Sequence, residues 1–392
     1  MKIGKFARLL LAVPPFLAGC GNFWQPPSGS TGTGTTTTTL SSGNFYVLNL
    51  ATRQIVGYNI NSGSLNQIGA YTLSSAPNAI AIAPSGKFLY VSTVTGIYLY
   101  TIASNGALTI GYSGNVVSSD PAAAIAVDTT GGWLLDAIEG TSGFTLAANP
   151  ISSDGLITGA AVAKSYGINN AAVHQMAISG DDANIFVTLG TVGTAVISFN
   201  SSNAEPLANS VSTIAVANTG GSALSVAVDP STSPRLFYIG ETLGDSAGTS
   251  GGLRVFNYSS LGASGGLTQA SGSPIASGGL APNTILAIAS GDYVYAGNGT
   301  GPTSAGNITG FSVTSSGGIY TVATGSTVAA GTQPYGLAED SDSHFVLAVA
   351  EGGNSDLTAY IFDTTTAGQL DVSLTSTTGT DPTEAVAVAA AP

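Results

Sequence analysis

The side chains of this sequence equipped for acid–base, thiol or metal chemistry are few: two histidines and one cysteine beside 21 acids. So small a stock of imidazoles and thiols argues against a conventional zinc site, and no metal or cofactor is expected. The sequence also lacks HExxH, P-loop and dinucleotide fingerprints. Its acids fall in a pattern: Asp136, Glu139, Glu241 and Glu351 stand toward the ends of short apolar runs, and Glu339 replaces an apolar residue in another. If those runs are equivalent strands, Asp136, Glu139, Glu339 and Glu351 gather at one channel mouth. There they would bind a cation or a partner rich in Lys and Arg, or else form a solvated rim that keeps a Gly-rich protein soluble. Asp340-Ser341-Asp342 has the oxygen ligands that calcium prefers. It stands where another run has Pro84-Ser85-Gly86, so an Asx turn is expected; Asp181-Asp182 reads the same way. His174 precedes one apolar run, where a lone imidazole is more often a hydrogen-bonded wall residue than a base.

Cys20 has a chemistry of its own. Lys2, Lys5 and Arg8 precede a short apolar stretch from Leu9 to Leu17, broken by Pro14 and Pro15 and too short to span a bilayer. It ends in Leu17-Ala18-Gly19-Cys20, which resembles a bacterial lipobox, so residues 1–19 read as a lipoprotein signal peptide. The thiol of Cys20 would carry the lipid, and several acyl chains give a stable anchor. Residues 20–42, with an unbroken Thr35 to Thr39, read as a flexible tether. No second thiol exists, so packing rather than disulfides must hold the exported part.

Loss of Lys2, Lys5 and Arg8 takes the net charge from −13 to −16. That excludes nucleic acid, whose recognition needs clustered Lys and Arg, and an electrostatic hold on anionic lipid. With 43% hydrophobic residues, 7% charged and 53 Gly, the chain is neither disordered nor helical in character. Strands joined by tight turns fit it.

A repeated unit organises residues 43–392. Its first strand appears as Ala79 to Ile82, Ala124 to Val127, Gln175 to Ile178, Ser225 to Val228, Ile285 to Ile288 and Tyr335 to Ala338. Aligned on Ile82, Val127, Ile178, Val228, Ile288 and Glu339, the steps are 45, 51, 50, 60 and 51 residues, the periods of propeller blades. A Gly shortly before an apolar residue marks the outer hairpin at Gly63, Gly106, Gly155, Gly266, Gly318 and Gly368, with a degenerate copy at Glu205-Pro206-Leu207. These are seven hairpins for six complete units. The remainder resolves at the ends: the domain begins with strands two to four of a unit and finishes with a lone first strand, Pro382 to Val388. The prediction is an all-β, seven-bladed β-propeller of four-stranded blades, closed by the C-terminal strand pairing into the N-terminal blade. A monomer is expected.

The units Ala83-Pro84-Ser85-Gly86-Lys87-Phe88-Leu89-Tyr90-Val91 and Ser290-Gly291-Asp292-Tyr293-Val294-Tyr295-Ala296, with the outer turns, resemble the seven-bladed propeller lactonases, which include 6-phosphogluconolactonase and carboxy-cis,cis-muconate cyclase. The resemblance covers essentially all of residues 43–392. It implies a site on one face of the ring, with His174-Gln175 and Glu241 as its catalytic elements and Leu189-Gly190 in the expected place. It also implies two anion-binding arginines, whose positions hold Leu224 and Gly299. Arginine supplies the planar fork that grips carboxylate or phosphate, so a sugar-phosphate lactone loses its anchor. Arg235 is expected to point to the opposite face, and Arg254 to help only by reaching over the rim.

Two functions stay open. One is an envelope lipoprotein, at the outer membrane or cell surface, whose propeller is a binding platform for a protein or glycan. The alternative is a lactone or ester hydrolase that uses His174 and Glu241.

Overall fold

The computed structural model describes residues 43–392 except 62, 231–234, 259–266, 300–304, 315–318, 322–326, 354 and 377–384. The leader 1–19, Cys20, the tether to residue 42, Gly266, Gly318 and the segment Pro382 to Glu384 lie outside the described residues.

Short runs rich in β-branched and aromatic residues form the strands, and glycines in the left-handed region turn them. Phe88–Thr93 follows the turn at Gly86, whose φ is +67°. The chain folds as a β-propeller of four-stranded antiparallel blades. A representative blade runs Pro77–Ile82, Phe88–Thr93, Gly96–Ile102 and Leu108–Ile110, each strand paired with the next.

Burial reports each strand's place in its blade. Second strands are shielded on both faces: Asn184–Thr188 and Leu236–Glu241 are buried at every residue. Innermost strands such as Pro77–Ile82 and Met176–Ile178 are mostly half-buried, because one side faces an axial cavity. The apolar contacts lie between successive blades. Leu236, Tyr238 and Val255 pack against Ile285, Val294 and Phe311, and Phe45, Val47 and Tyr58 against Phe345, Leu347 and Leu357.

The closing strand is Ala385–Ala390. It pairs antiparallel with Asn44–Asn49, placing Val388 opposite Val47 and Ala390 opposite Phe45. The first and last described strands thereby share one sheet with Gln54–Asn61 and Ser64–Thr72.

The outer-turn glycines have a physical role. Buried tyrosines on second strands reach across to the next outer turn: Tyr46 Oη donates to Gly106 O at 2.8 Å, Tyr90 to Gly155 O at 2.8 Å and Tyr295 to Gly368 O at 2.9 Å. All three glycines have φ near +80°. Each bond contributes about 1 kcal/mol net, and burial raises all three phenol pKa values, keeping the donors protonated.

Seven separate sheets are not what the hydrogen bonds give. Among the described residues there are six, the largest of eight strands. The 13-residue strand Thr327–Glu339 joins what the repeats treat as two blades: its start pairs with Ala305–Val313 and its remainder with Phe345–Gly352. Gln333, at φ +53°, and a register shift between Pro334 and Gly336 lie where its partner changes. Hydropathy alternation carries no mark of such a junction, since both halves are ordinary strand.

Candidate functional site

The ends of the innermost strands surround an axial cavity of about 240 Å³. His174, Gln175, Asn78 and Tyr335 supply polar groups to its wall among Ala, Ile, Leu and Val. A neighbouring recess of about 460 Å³ contains Glu139 and shares Asn78, Ala123 and Val386 with the cavity. No Lys or Arg is among the described lining residues of either.

His174 and Gln175 are fixed by the second strand of their own blade. His174 N donates to Thr188 O at 3.0 Å, and Gln175 N to Thr188 Oγ1 at 2.9 Å. The His174 ring lies beside Gly190, whose φ of +64° turns the chain; a Cβ there would stand 3.5 Å from Nε2. The imidazole is exposed to the channel, yet the surrounding wall disfavours its charged form and lowers its pKa, while Glu139 pulls the other way. Glu139 Oε1 accepts from Val173 N at 2.7 Å, which holds this carboxylate one residue from His174.

The Gln175 carboxamide bridges two other inner strands. Its Oε1 accepts from Val226 N and its Nε2 donates to Asn283 O, both at 3.2 Å. Asn283 Nδ2 in turn donates to Gln333 Oε1 at 3.1 Å. At the first arginine position, Leu224 gives its carbonyl to Thr188 Oγ1 at 3.3 Å. At the second, Gly299 leaves room for Gln333: a Cβ on Gly299 would collide with the Gln333 amide oxygen. Three residues with neutral carboxamides, Gln175, Asn283 and Gln333, are thus linked by hydrogen bonds, the last of them against Gly299.

The structure does not bring Glu241 to His174. Glu241 is 1% exposed and absent from the cavity wall. Its Oε1 meets Arg254 Nη1 at 2.8 Å, and its Oε2 accepts from Ala217 N at 2.8 Å. Arg254 also donates to Ala215 O and Gln269 Oε1, both at 2.7 Å, and stacks over Phe256. Arg235 pairs with Asp181 at another hairpin, away from the cavity wall.

Two of the four predicted mouth acids lie elsewhere. Asp136 is fully buried in mid-strand, held by Asn149 Nδ2 at 2.9 Å, because the second strand is covered on both faces. Glu339 is at the hairpin end of its strand, opposite Val346, and accepts from Ala289 N at 2.6 Å. Glu351 lies near the cavity-wall residue Tyr335, whose phenol pKa is raised by its burial and then by the Glu351 charge. Tyr335 in the cavity wall was missed, as was the Asn283–Gln333 pair that bonds to Gln175. Only Tyr335 had a sequence signal, as the aromatic head of a weak repeat copy.

No protein-family model and no curated protein sequence matches the chain. Among solved structures it is similar to the periplasmic gluconolactonase of Pseudomonas aeruginosa, at 18% identity and a TM-score of 0.65, covering 90% of this chain and 100% of that one. It is also similar to a putative 6-phosphogluconolactonase from Bacteroides uniformis, at 16% identity and 0.64, covering 89% and 99%. A Lactobacillus plantarum protein gives 16% identity and 0.62 over 89% and 99%. What is shared is the fold. Lactonase-like propellers are its neighbours, and the chemistry of the cavity must be argued from its own residues.

Proposed function

We propose that the chain is a lactonase acting on an uncharged, polyhydroxylated lactone, with His174 as general base. The observation that carries this reading is the His174 imidazole in the cavity wall, beside the Glu139 carboxylate and among carboxamides. A lowered pKa keeps the imidazole neutral near pH 7, as a base must be. In the proposed step His174 takes a proton from water, and the hydroxide adds to the lactone carbonyl. The ring C–O bond then breaks, and the imidazolium returns the proton to the leaving oxygen. Glu139 stabilises the imidazolium, while Asn78 and Tyr335 present donors to the substrate. The product is a carboxylate, which the charges of Glu139 and Glu351 repel.

The test is hydrolysis of neutral aldonolactones by the full-length protein, followed with a pH indicator above the spontaneous rate. His174→Ala is expected to lower turnover by about 10²-fold or more. Glu139→Gln removes the charge that raises the His174 pKa, so the acidic limb of the rate profile should move to lower pH. Phosphorylation of the substrate should give no advantage. Spontaneous-rate hydrolysis by folded wild-type protein across the panel would defeat the proposal and return the cavity to a binding role for a neutral glycan.

Two further readings belong to the same proposal. Counting the eight-stranded sheet as two blades gives seven, supported by hydrophobic clusters packed between each successive pair of four-strand units, the last closing onto the first. A lipid on Cys20 would hold the enzyme in the cell envelope, and the periplasmic setting of one fold neighbour agrees with that.

A further inference from the structure

Several blades cap the hairpin between their first and second strands with a side chain, and the occupancy of that cap differs at one blade. Asp128 spends one oxygen on Trp133 N, at 2.7 Å, and the other on the Thr130 hydroxyl. Asp229 Oδ2 takes the Tyr238 hydroxyl at 2.9 Å. Asp340 Oδ1 accepts from His344 N at 2.8 Å and from Phe345 N at 2.5 Å. Its Oδ2 has no donor among the described residues, although the side chain is only 4% exposed. The sister turns show that this fold supplies a donor to the second oxygen when it is meant to be neutralised locally. A buried carboxylate oxygen left bare is costly.

What surrounds this turn is a ligand set. Asp340, Asp342 and His344 each offer one ligand atom, and these atoms all lie within 4.8 Å of one another. The acids alone read as an Asx turn; the imidazole two residues beyond Asp342 changes the chemistry. Two carboxylates and one imidazole suit a borderline divalent metal such as Zn²⁺ or Mn²⁺ better than Ca²⁺, which takes oxygen ligands. We infer that Asp340, Asp342 and His344 form a divalent transition-metal site at this hairpin, completed by water. The turn abuts the ring closure, since Ser341 sits against Gly43, itself next to Ala391 O. Metal at this place is therefore a stabiliser of the closed ring, independent of chemistry in the axial cavity.

The experiment is calorimetric titration of chelator-treated full-length protein with ZnCl₂, MnCl₂ and CaCl₂, paired with thermal unfolding. The chain's only other imidazole is His174, so the titrations are repeated in His174→Ala. One equivalent of Zn²⁺ or Mn²⁺ is expected, with a raised unfolding temperature in wild type and in His174→Ala. Asp342→Asn and His344→Gln lie outside the core and should fold as the metal-free wild type does, while losing at least tenfold in affinity. Asp340→Asn should lose binding but also weaken the turn, so the other two variants decide. The inference is overturned by absence of saturable Zn²⁺ or Mn²⁺ binding, by undiminished binding in His344→Gln, or by loss of binding in His174→Ala alone.

Discussion

Arg254→Met is expected to destabilise the propeller by about 3–5 kcal/mol, the cost of leaving one partner of a buried ion pair uncompensated. Glu241 is 1% exposed and Arg254 7%, so solvent cannot replace the lost guanidinium. The substitution also strips donors from Ala215 O and Gln269 Oε1. The double variant Glu241→Gln/Arg254→Met removes both charges and should recover most of the loss, because two neutral groups of similar size need no mutual neutralisation. Denaturant unfolding of the wild type, both single variants and the double variant measures the coupling. A double variant as unstable as Arg254→Met would mean that packing over Phe256, and not charge, holds the pair in place. Glu241→Gln also separates structure from chemistry: folded protein with this change should retain lactone turnover, while His174→Ala should not. The ion pair thus fixes the blade that carries Leu224, whose carbonyl meets the strand behind His174.

That pair was legible in part. Arg254 stands opposite Ile239, and Glu241 lies two residues further along, on the same face of the sheet. Strand spacing alone would have joined them, but the resemblance to lactonases drew Glu241 toward His174 instead. The closing strand was legible because a strand left over at the C-terminus must find an open edge. The outer glycines were legible as punctuation, though not as acceptors for tyrosines from the preceding blade, since Tyr46 and Gly106 are 60 residues apart. Asp136 misled for a different reason. In a strand covered on both faces, alternation no longer separates inward from outward positions, so an acid in Trp133–Gly140 reads as rim when it is core. The carboxamide chain through Gln175, Asn283 and Gln333 left no local trace at all: its members lie on or beside inner strands of different blades, far apart in sequence, and meet only in the folded chain.

Asp136 carries the second large effect, a stability that falls as pH rises. Burial, aided by the charge of Asp120, pushes its carboxyl from 3.8 up to about 7, against the bond from Asn149. The folded state therefore holds a proton that the unfolded chain releases between about pH 4 and pH 7. In that window the native protein binds more protons, so unfolding becomes easier with each step upward in pH and the loss is complete above pH 7. Three pH units of difference correspond to about 4 kcal/mol as an upper bound. Asp136→Asn keeps the shape and abolishes the titration. The variant should match the wild type near pH 4 and exceed it by about 2–4 kcal/mol at pH 8. Thermal unfolding of both proteins from pH 4 to pH 9 reads the difference directly. Parallel curves would mean that Asp136 is ionised throughout, with Asn149 stabilising the charge more than burial opposes it. Asp120→Asn gives an independent arm: removing that neighbour lowers the Asp136 pKa, so the decline should begin at the same pH and end earlier.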